Sequence, residues 1–244
     1  MRRRTLTDLA SNPDLISGIY NYCDRWCERC PFTSRCLVFA TEAEDNQPSK
    51  DQDAANAQFW NELGTVFEET LALIPEWANA AEVDLTCVEE QSPRRRKRKQ
   101  VDNHPLALAG KTYANAAADW FRQFDEHVDT ERTNTLREVI QWYQYQIAVK
   151  TMRALSGQIE ELSDSETSDS PKDSDGSAKV ALIGIDRSLA AWRHMQLAAP
   201  ENDASIIPLI LQLAQLRIRI ESQFPDARQY VRPGFDEVPT PPAT

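Results

Sequence analysis

The chain is expected to fold as an all-α, multi-helix bundle of about five to seven helices, and three features of the sequence lead there. Only 7 of its 244 residues are glycine. No run of Val, Ile or Thr alternates with polar residues in the manner of a half-buried strand, and the long segments are rich in Ala, Leu, Gln and Glu. Apolar side chains recur instead at three- and four-residue intervals, the spacing of a helix that buries one stripe.

Along the chain, residues 1–45 read as a Cys-rich helical hairpin. Asn12-Pro13 resembles an N-cap followed by proline at the first helical position, opening a short helix towards Cys23. The body, residues 50–223, begins with a helix from about Asp53 to Ile74 that Pro75 is expected to stop. Its stripe is Phe59, Leu63, Val66, Thr70 and Ile74, widened by Phe67 and Leu71. A helix over His104 to His127 has Pro105 near its start and Trp120, Phe121 and Phe124 towards the core. Between these two helices, residues 91–103 are expected to form a basic loop.

The segment Asn134 to Ser156 is apolar on two sides. At about 100° per residue, Leu136, Ile140, Tyr143, Ile147 and Ala154 share one face, and Trp142, Tyr145, Val149 and Met152 lie nearly opposite. Such a helix belongs at the centre of a bundle, and Gly157 is placed to end it. Residues 163–176, rich in Ser, Asp and Glu, cannot bury enough apolar surface to order themselves and read as a disordered acidic linker. Ser177 then caps a helix to about Leu197 that is apolar nearly all round, with Val180, Leu182, Ile183, Ile185, Leu189, Trp192 and Met195. A last helix, about Ser205 to Gln223, carries the stripe Leu209, Leu213, Leu216 and Ile220. Residues 224–244, with five prolines and the cluster Tyr230, Pro233 and Phe235, form an extended tail against the body.

Charge narrows the choice of partners. The net charge of −11 argues against a general nucleic-acid binder, since phosphate affinity comes from clustered Lys and Arg. Arg94 to Lys99 is an unbroken basic run, and setting its six charges aside leaves −17 on the rest. That run is a solvated loop or else the one segment suited to nucleic acid, nuclear import or an acidic partner. The longest apolar run, Ile206 to Leu216, is shorter than the roughly 20 residues that cross a bilayer. No apolar stretch follows Met1-Arg-Arg-Arg, so no signal peptide and no membrane partner are expected, and cytoplasm is the expected location.

Cys23, Cys27, Cys30 and Cys36 fall within fourteen residues in the spacing C-x3-C-x2-C-x5-C, and Cys87 stands apart. Four thiolates in one short segment are a complete ligand set for zinc or an iron–sulfur cluster. Two disulfides or four buried thiols are the competing readings. Disulfides are disfavoured in a reducing compartment, and Asp24, Arg25, Glu28 and Arg29 make the segment polar. If Cys23, Cys27 and Cys30 continue a helix, their spacing sets neighbouring Cβ atoms about 5–6 Å apart on one face. That spread suits a 4Fe-4S cluster better than zinc, whose sulfurs, about 2.3 Å from the ion, sit about 3.8 Å apart. Arg25, Arg29 and Arg35 would offset the negative charge of a four-thiolate cluster.

The first three cysteines resemble the C-x3-C-x2-C loop of radical SAM enzymes, over eight residues only. Those enzymes carry the loop in an α/β barrel and leave one iron open, whereas no strands are expected here and a fourth cysteine is at hand. Cys27, Cys30 and Cys36 are also similar to the C-x2-C-x5-C portion of the auxiliary iron–sulfur segments of such enzymes. The chain as a whole resembles an uncharacterised bacterial family. Its tracts are similar to Tyr22-Cys-Asp-Arg-Trp-Cys-Glu-Arg-Cys-Pro-Phe, to Ile140-Gln-Trp-Tyr-Gln, to Gly176-Ser-Ala-Lys-Val-Ala-Leu and to Arg232-Pro-Gly-Phe-Asp236. The resemblance implies the four-cysteine motif and the helical body, and no activity.

Other sites find less support. A ferritin-like di-iron centre needs Glu-x-x-His, and no Asp or Glu precedes His104, His127 or His194 by three residues. Each histidine therefore reads as a surface or capping residue. There is no phosphate loop and no nucleophile elbow. Charges within the two apolar helices invite a buried network of Glu138, Lys150, Lys179, Asp186 and Arg187, with the faces' watery edges as the alternative. The leading functional expectation is an iron–sulfur protein for electron transfer, redox sensing or accessory work with a protein or redox partner. A zinc-stapled interaction scaffold is one alternative. An enzyme using Glu138, Lys179 and Asp186 is the other.

Overall fold

The computed structural model describes residues 12–45, 57–81, 93–124, 131–163 and 172–236. Seven α-helices and several 3-10 turns lie in these residues, with no strand among them. The helices are α1 (Leu37–Asp45), α2 (Ala57–Ala80), α3 (Pro93–Asp102), α4 (Pro105–Phe124), α5 (Glu131–Ser163), α6 (Asp173–Ala198) and α7 (Asp203–Gln223).

Four of them make the core. Helices α5 and α6 pack along each other, α4 lies on α5, α7 on α6, and contact between α4 and α7 closes the ring. The expected stripes are what they bury. Ile140, Tyr143, Ile147 and Ala154 of α5 are fully inside, as are Leu182, Ile185, Trp192 and Met195 of α6 and Leu209, Leu213, Leu216 and Ile220 of α7. Each large apolar side chain so buried contributes about 1.5–3 kcal/mol. At one end the rings of Trp120 and Phe121 pack on Trp192 at 5.1 and 5.6 Å. The polar edge of this cluster is satisfied: Trp192 Nε1 donates to the Tyr113 hydroxyl at 2.9 Å and Trp120 Nε1 to Ser205 Oγ at 2.8 Å. The second face of α5 is only half buried. Trp142 and Met152 pack against the core, while Tyr145 and Val149 face water.

Several expected boundaries move. The helix expected to stop at Pro75 continues to Ala80, with Leu71, Leu73 and Trp77 exposed. A proline removes one helical hydrogen bond, and an exposed helix end leaves the freed carbonyl to water. The side chains of Phe59, Leu63, Val66, Phe67 and Thr70 lie outside the described residues. The expected basic loop is the helix α3. Arg and Lys are good helix formers, Val101 is buried, and Lys97 pairs with Glu160 of α5. Gly157 does not end α5. A Cβ there would stand 3.2 Å from the Ser174 nitrogen, so this glycine lets the start of α6 approach. The expected linker is shorter than 163–176, because α6 begins at Asp173 and buries Ser174, Asp175, Gly176 and Ser177. Residues 164–171, His127 and Cys87 lie outside the described residues. No helix among the described residues is long and apolar enough to cross a membrane.

The chain ends run over this bundle. Asn12 to Cys36 is a series of turns laid across α5 and α6, and the tail after Phe224 returns beside it. Tyr22 and Tyr230 meet at 4.9 Å between ring centroids, and Phe32 and Phe235 at 5.1 Å. Gly176 makes the first contact possible. A Cβ on it would stand 2.6 Å from Tyr22 Cδ1 and 2.8 Å from Tyr230 Cζ. Tyr22 cannot retreat freely, because its hydroxyl donates to Asp173 Oδ1 at 2.8 Å. Gly176→Ala is therefore expected to destabilise by roughly 1–3 kcal/mol despite the better helix propensity of alanine. Chemical denaturation measures this, and an unchanged or raised midpoint would mean that the tyrosines do not depend on the missing side chain.

Candidate metal centre

Of the four cysteines only Cys27 lies inside a 3-10 turn; Cys30 and Cys36 are the extended residues that close two such turns, and Cys23 follows another. Ile19–Asn21 forms a 3-10 turn, Cys27–Arg29 another and Thr33–Arg35 a third. Two expectations are thus corrected: residues 12–22 form turns and one 3-10 segment in place of the short helix expected from Asn12-Pro13, and Cys23, Cys27 and Cys30 do not ride on one helical face. Arg25 takes the left-handed conformation at φ 57°, rare for a residue with a Cβ. A non-glycine residue held there costs on the order of 1–3 kcal/mol, so the surroundings must fix it. The turn brings the Arg25 amide to the Cys23 sulfur. One turn on, the Phe32 N–H donates to Cys30 Sγ at 3.4 Å. Cys30 Sγ thus accepts an amide hydrogen, while Cys23 Sγ, besides meeting the Arg25 amide, donates as a thiol to the Tyr20 carbonyl at 3.5 Å.

Asp24 is the point of attachment. Its carboxylate accepts from Tyr143 OH at 2.6 Å and from Arg187 Nη1 at 2.5 Å, and its other oxygen accepts from the Trp26 amide at 3.2 Å. Its backbone carbonyl accepts from Trp142 Nε1 at 2.9 Å and from Gln146 Nε2. Burial alone would raise this carboxyl's pKa, but the Tyr143 and Trp26 hydrogen bonds and the Arg187 charge outweigh it and hold the carboxyl below its ordinary range. Trp26 stacks on Trp142 at 5.0 Å and carries the Arg29 guanidinium 4.0 Å above its ring.

Cys23, Cys27, Cys30 and Cys36 line one cavity of about 20 Å3, room for about one water. Ile19, Phe32, Val38, Phe39 and Phe235 supply apolar walls. The four are free of disulfides and half buried. Among the described residues no three His, Cys, Asp or Glu side chains are grouped so as to hold a metal ion. Burial raises the Cys23 thiol's pKa above its ordinary value, and the Arg25 amide with the charges of Lys150 and Arg25 offsets this only in part. Lys150 lies beneath, 8% exposed, and donates to the Asn21 carbonyl at 2.9 Å. Burial lowers its pKa, and the Cys23 thiolate is the main influence in the other direction. The four thiols thus share the wall of one apolar cavity, with Lys150 close to Cys23, but they are not drawn together as one ligand set among the described residues.

The five charged residues expected in one network are distributed among separate partners. Glu138 is exposed and pairs with Arg29 at 2.6 Å. Lys150 reaches Asn21, and Arg187 reaches Asp24. Lys179 donates to the Tyr230 carbonyl at 2.6 Å and pairs with Asp236 at 2.7 Å. Asp186 pairs with Arg228 at 2.6 Å. Their shared role is to fasten the N-terminal segment and the tail to α5 and α6. His104 caps α4, accepting at Nδ1 from the Leu106 amide at 3.2 Å, as expected of a capping histidine. Sequence reasoning missed Asp24 as the point of attachment, and it placed Phe235 in a tail against the body without foreseeing its part in the cysteine cavity. The available signal was Tyr143, a core residue whose hydroxyl needs a partner when buried. No protein family, curated protein or solved structure matches the chain.

Phe235 reaches the cysteine cavity because Asp236 is held. Asp236 accepts from Arg232 Nε and Nη2, both at 3.0 Å, and from the Arg232 amide at 3.1 Å. The hydrogen bonds from Arg232, helped by Lys179, hold its carboxyl well below the usual range despite burial. Gly234, at φ 75°, turns the chain there against Ile16 and Ile19. Asp236→Asn is expected to cost on the order of 2 kcal/mol at neutral pH. Because the folded pKa is depressed, the difference from wild type should hold above about pH 4 and shrink as pH falls below that. Denaturation midpoints of both proteins across pH 2–7 test this, and a difference independent of pH would refute it.

Proposed function

We propose that Cys23, Cys27, Cys30 and Cys36 hold an iron–sulfur centre, most simply a 4Fe-4S cluster, serving electron transfer, redox sensing or an accessory role beside a protein partner. The observation that carries this reading is that four cysteines from three successive turns line a single, mostly apolar cavity. A cluster with four thiolates is anionic, and Arg25 and the buried Lys150 lie close enough to Cys23 to bias it electrostatically. Amide hydrogen bonds to sulfur and exclusion of water are the levers by which a protein sets a cluster's potential.

Zinc is the second reading, and two observations favour it. The cavity's volume is that of about one small body. The turn over Cys27–Arg29, closed by the Cys30 amide donating to the Cys27 carbonyl, carries a C-x2-C spacing common in zinc staples. In that case the segment would serve as a fastening for an interaction scaffold. The exposed basic face of α3, from Arg94 to Lys99, is the feature of such a scaffold most able to meet an acidic protein or nucleic acid. The enzyme reading loses its basis in a shared pocket, since Lys179 and Asp186 are engaged with the tail while Glu138 pairs with Arg29. A reducing, cytoplasmic compartment suits four free thiols.

Anaerobic purification followed by metal and sulfide assay decides between the readings. The cluster reading expects brown protein with about four iron and four sulfide per chain, lost when Cys23 and Cys30 are both replaced by serine. Colourless protein with one zinc would replace the cluster with the staple. Protein with neither metal would refute both.

A further inference from the structure

A second and larger cavity lies on the other side of the cysteine segment. Its volume is about 600 Å3, within the range of small-molecule sites. Two helical faces wall it. Arg187, Ala190 and His194 stand at three- and four-residue intervals along α6, and Leu136, Val139 and Tyr143 do the same along α5. Asp24, Arg29 and Cys30 close it from the segment, so Cys30 borders both cavities. The small side chain of Ala190 is what leaves the space open between the helices.

The polar groups of this cleft are not spread evenly. Arg187 commits Nη1 to Asp24 and Tyr143, and its Nε and Nη2 make no hydrogen bond among the described residues. Two adjacent donors in a planar fork match a carboxylate. Asp24 holds this guanidinium by its far corner, so its orientation is set before any ligand arrives. Counting Arg29 and Arg187 against Asp24, with His194 neutral, the lining carries +1 on a chain of −11. Leu136, Val139 and Ala190 offer only apolar surface. A fixed cation at one end and an apolar wall along the rest define the ligand's chemistry.

We propose that the cleft between the cysteine segment and helices α5 and α6 binds a small organic acid, whose carboxylate pairs with Arg187 and whose apolar body lies against Leu136, Val139 and Ala190. The site stands on these residues and not on the metal. If a metal is present, Cys30 sets the bound acid beside it.

The test titrates the full-length protein, of measured metal content, with 2-naphthoate and with 2-naphthalenemethanol, the same ring without the charge, by calorimetry. The metal measurement keeps a missing metal distinct from a missing acid site. Saturable one-to-one binding of 2-naphthoate, at least ten-fold tighter than the alcohol, is expected. Arg187→Gln should bring the acid down to the affinity of the alcohol. Ala190→Phe, at an exposed position that leaves the Asp24 contacts intact, should cover the apolar wall beside Arg187 and weaken binding of both at least ten-fold. Equal affinity for the two probes, no binding of 2-naphthoate at millimolar concentration, or binding unaffected by Ala190→Phe would overturn the proposal.

Discussion

The Asp24 carboxylate, ionised between Arg187 and Tyr143, is the constraint on which the shape of the cysteine segment rests. From Tyr22 to Cys30 the chain has only one three-residue turn of regular structure, too little to hold its three thiols by itself. Its carboxylate and its carbonyl tie one residue to two adjacent helices, and the left-handed Arg25 follows at once. With that point fixed, Trp26 lies flat on Trp142, the Arg25 amide meets Cys23, and the turn towards Cys30 begins at a defined place. Removing a partner from a buried charge leaves the charge uncompensated, which costs more than the pair contributes. The attachment is therefore hard to replace piecemeal.

The tail acts as the second wall. Phe235 closes the cysteine cavity, and Gly234 and the Asp236 hydrogen bonds determine where that ring sits. Four tracts far apart in the chain thus meet at one place: the cysteines, the α5 run around Tyr143, the start of α6 at Gly176, and the turn from Arg232 to Asp236. Near Cys23, Arg25 and Lys150 stand against Asp24, although the chain as a whole is strongly negative. A buried ammonium is costly in isolation, and besides the Asn21 carbonyl Lys150 has Cys23 as its main electrostatic counterpart.

The helical body was legible because burial and period agree: Leu209, Leu213, Leu216 and Ile220 recur at helical spacing and are the residues α7 buries. The spacing of the four cysteines marks them as neighbours, and they do line one cavity, but it does not give their backbone, since a helix or a set of turns can carry the same intervals. Breaker residues misled. Pro75 and Gly157 both lie within helices, the first near an exposed end, the second where another chain segment packs close. The basic run was misread as a loop because its charge suggested solvent, while its intrinsic helix preference and the single buried Val101 decide the outcome. The charged residues of α5 and α6 were rightly singled out but wrongly joined. Their partners are in the irregular ends of the chain, more than forty residues away in most cases, and no periodicity carries that information.

Amide hydrogen exchange of wild type and Asp24→Asn, resolved by peptide, tests most directly whether the bundle imposes the segment's shape. The account expects faster exchange across residues 19–36 and, through the Tyr22–Tyr230 and Phe32–Phe235 contacts, across residues 230–236, with α4 to α7 as protected as before. Unchanged exchange in residues 19–36, or loosening that spreads through the four core helices, would contradict it.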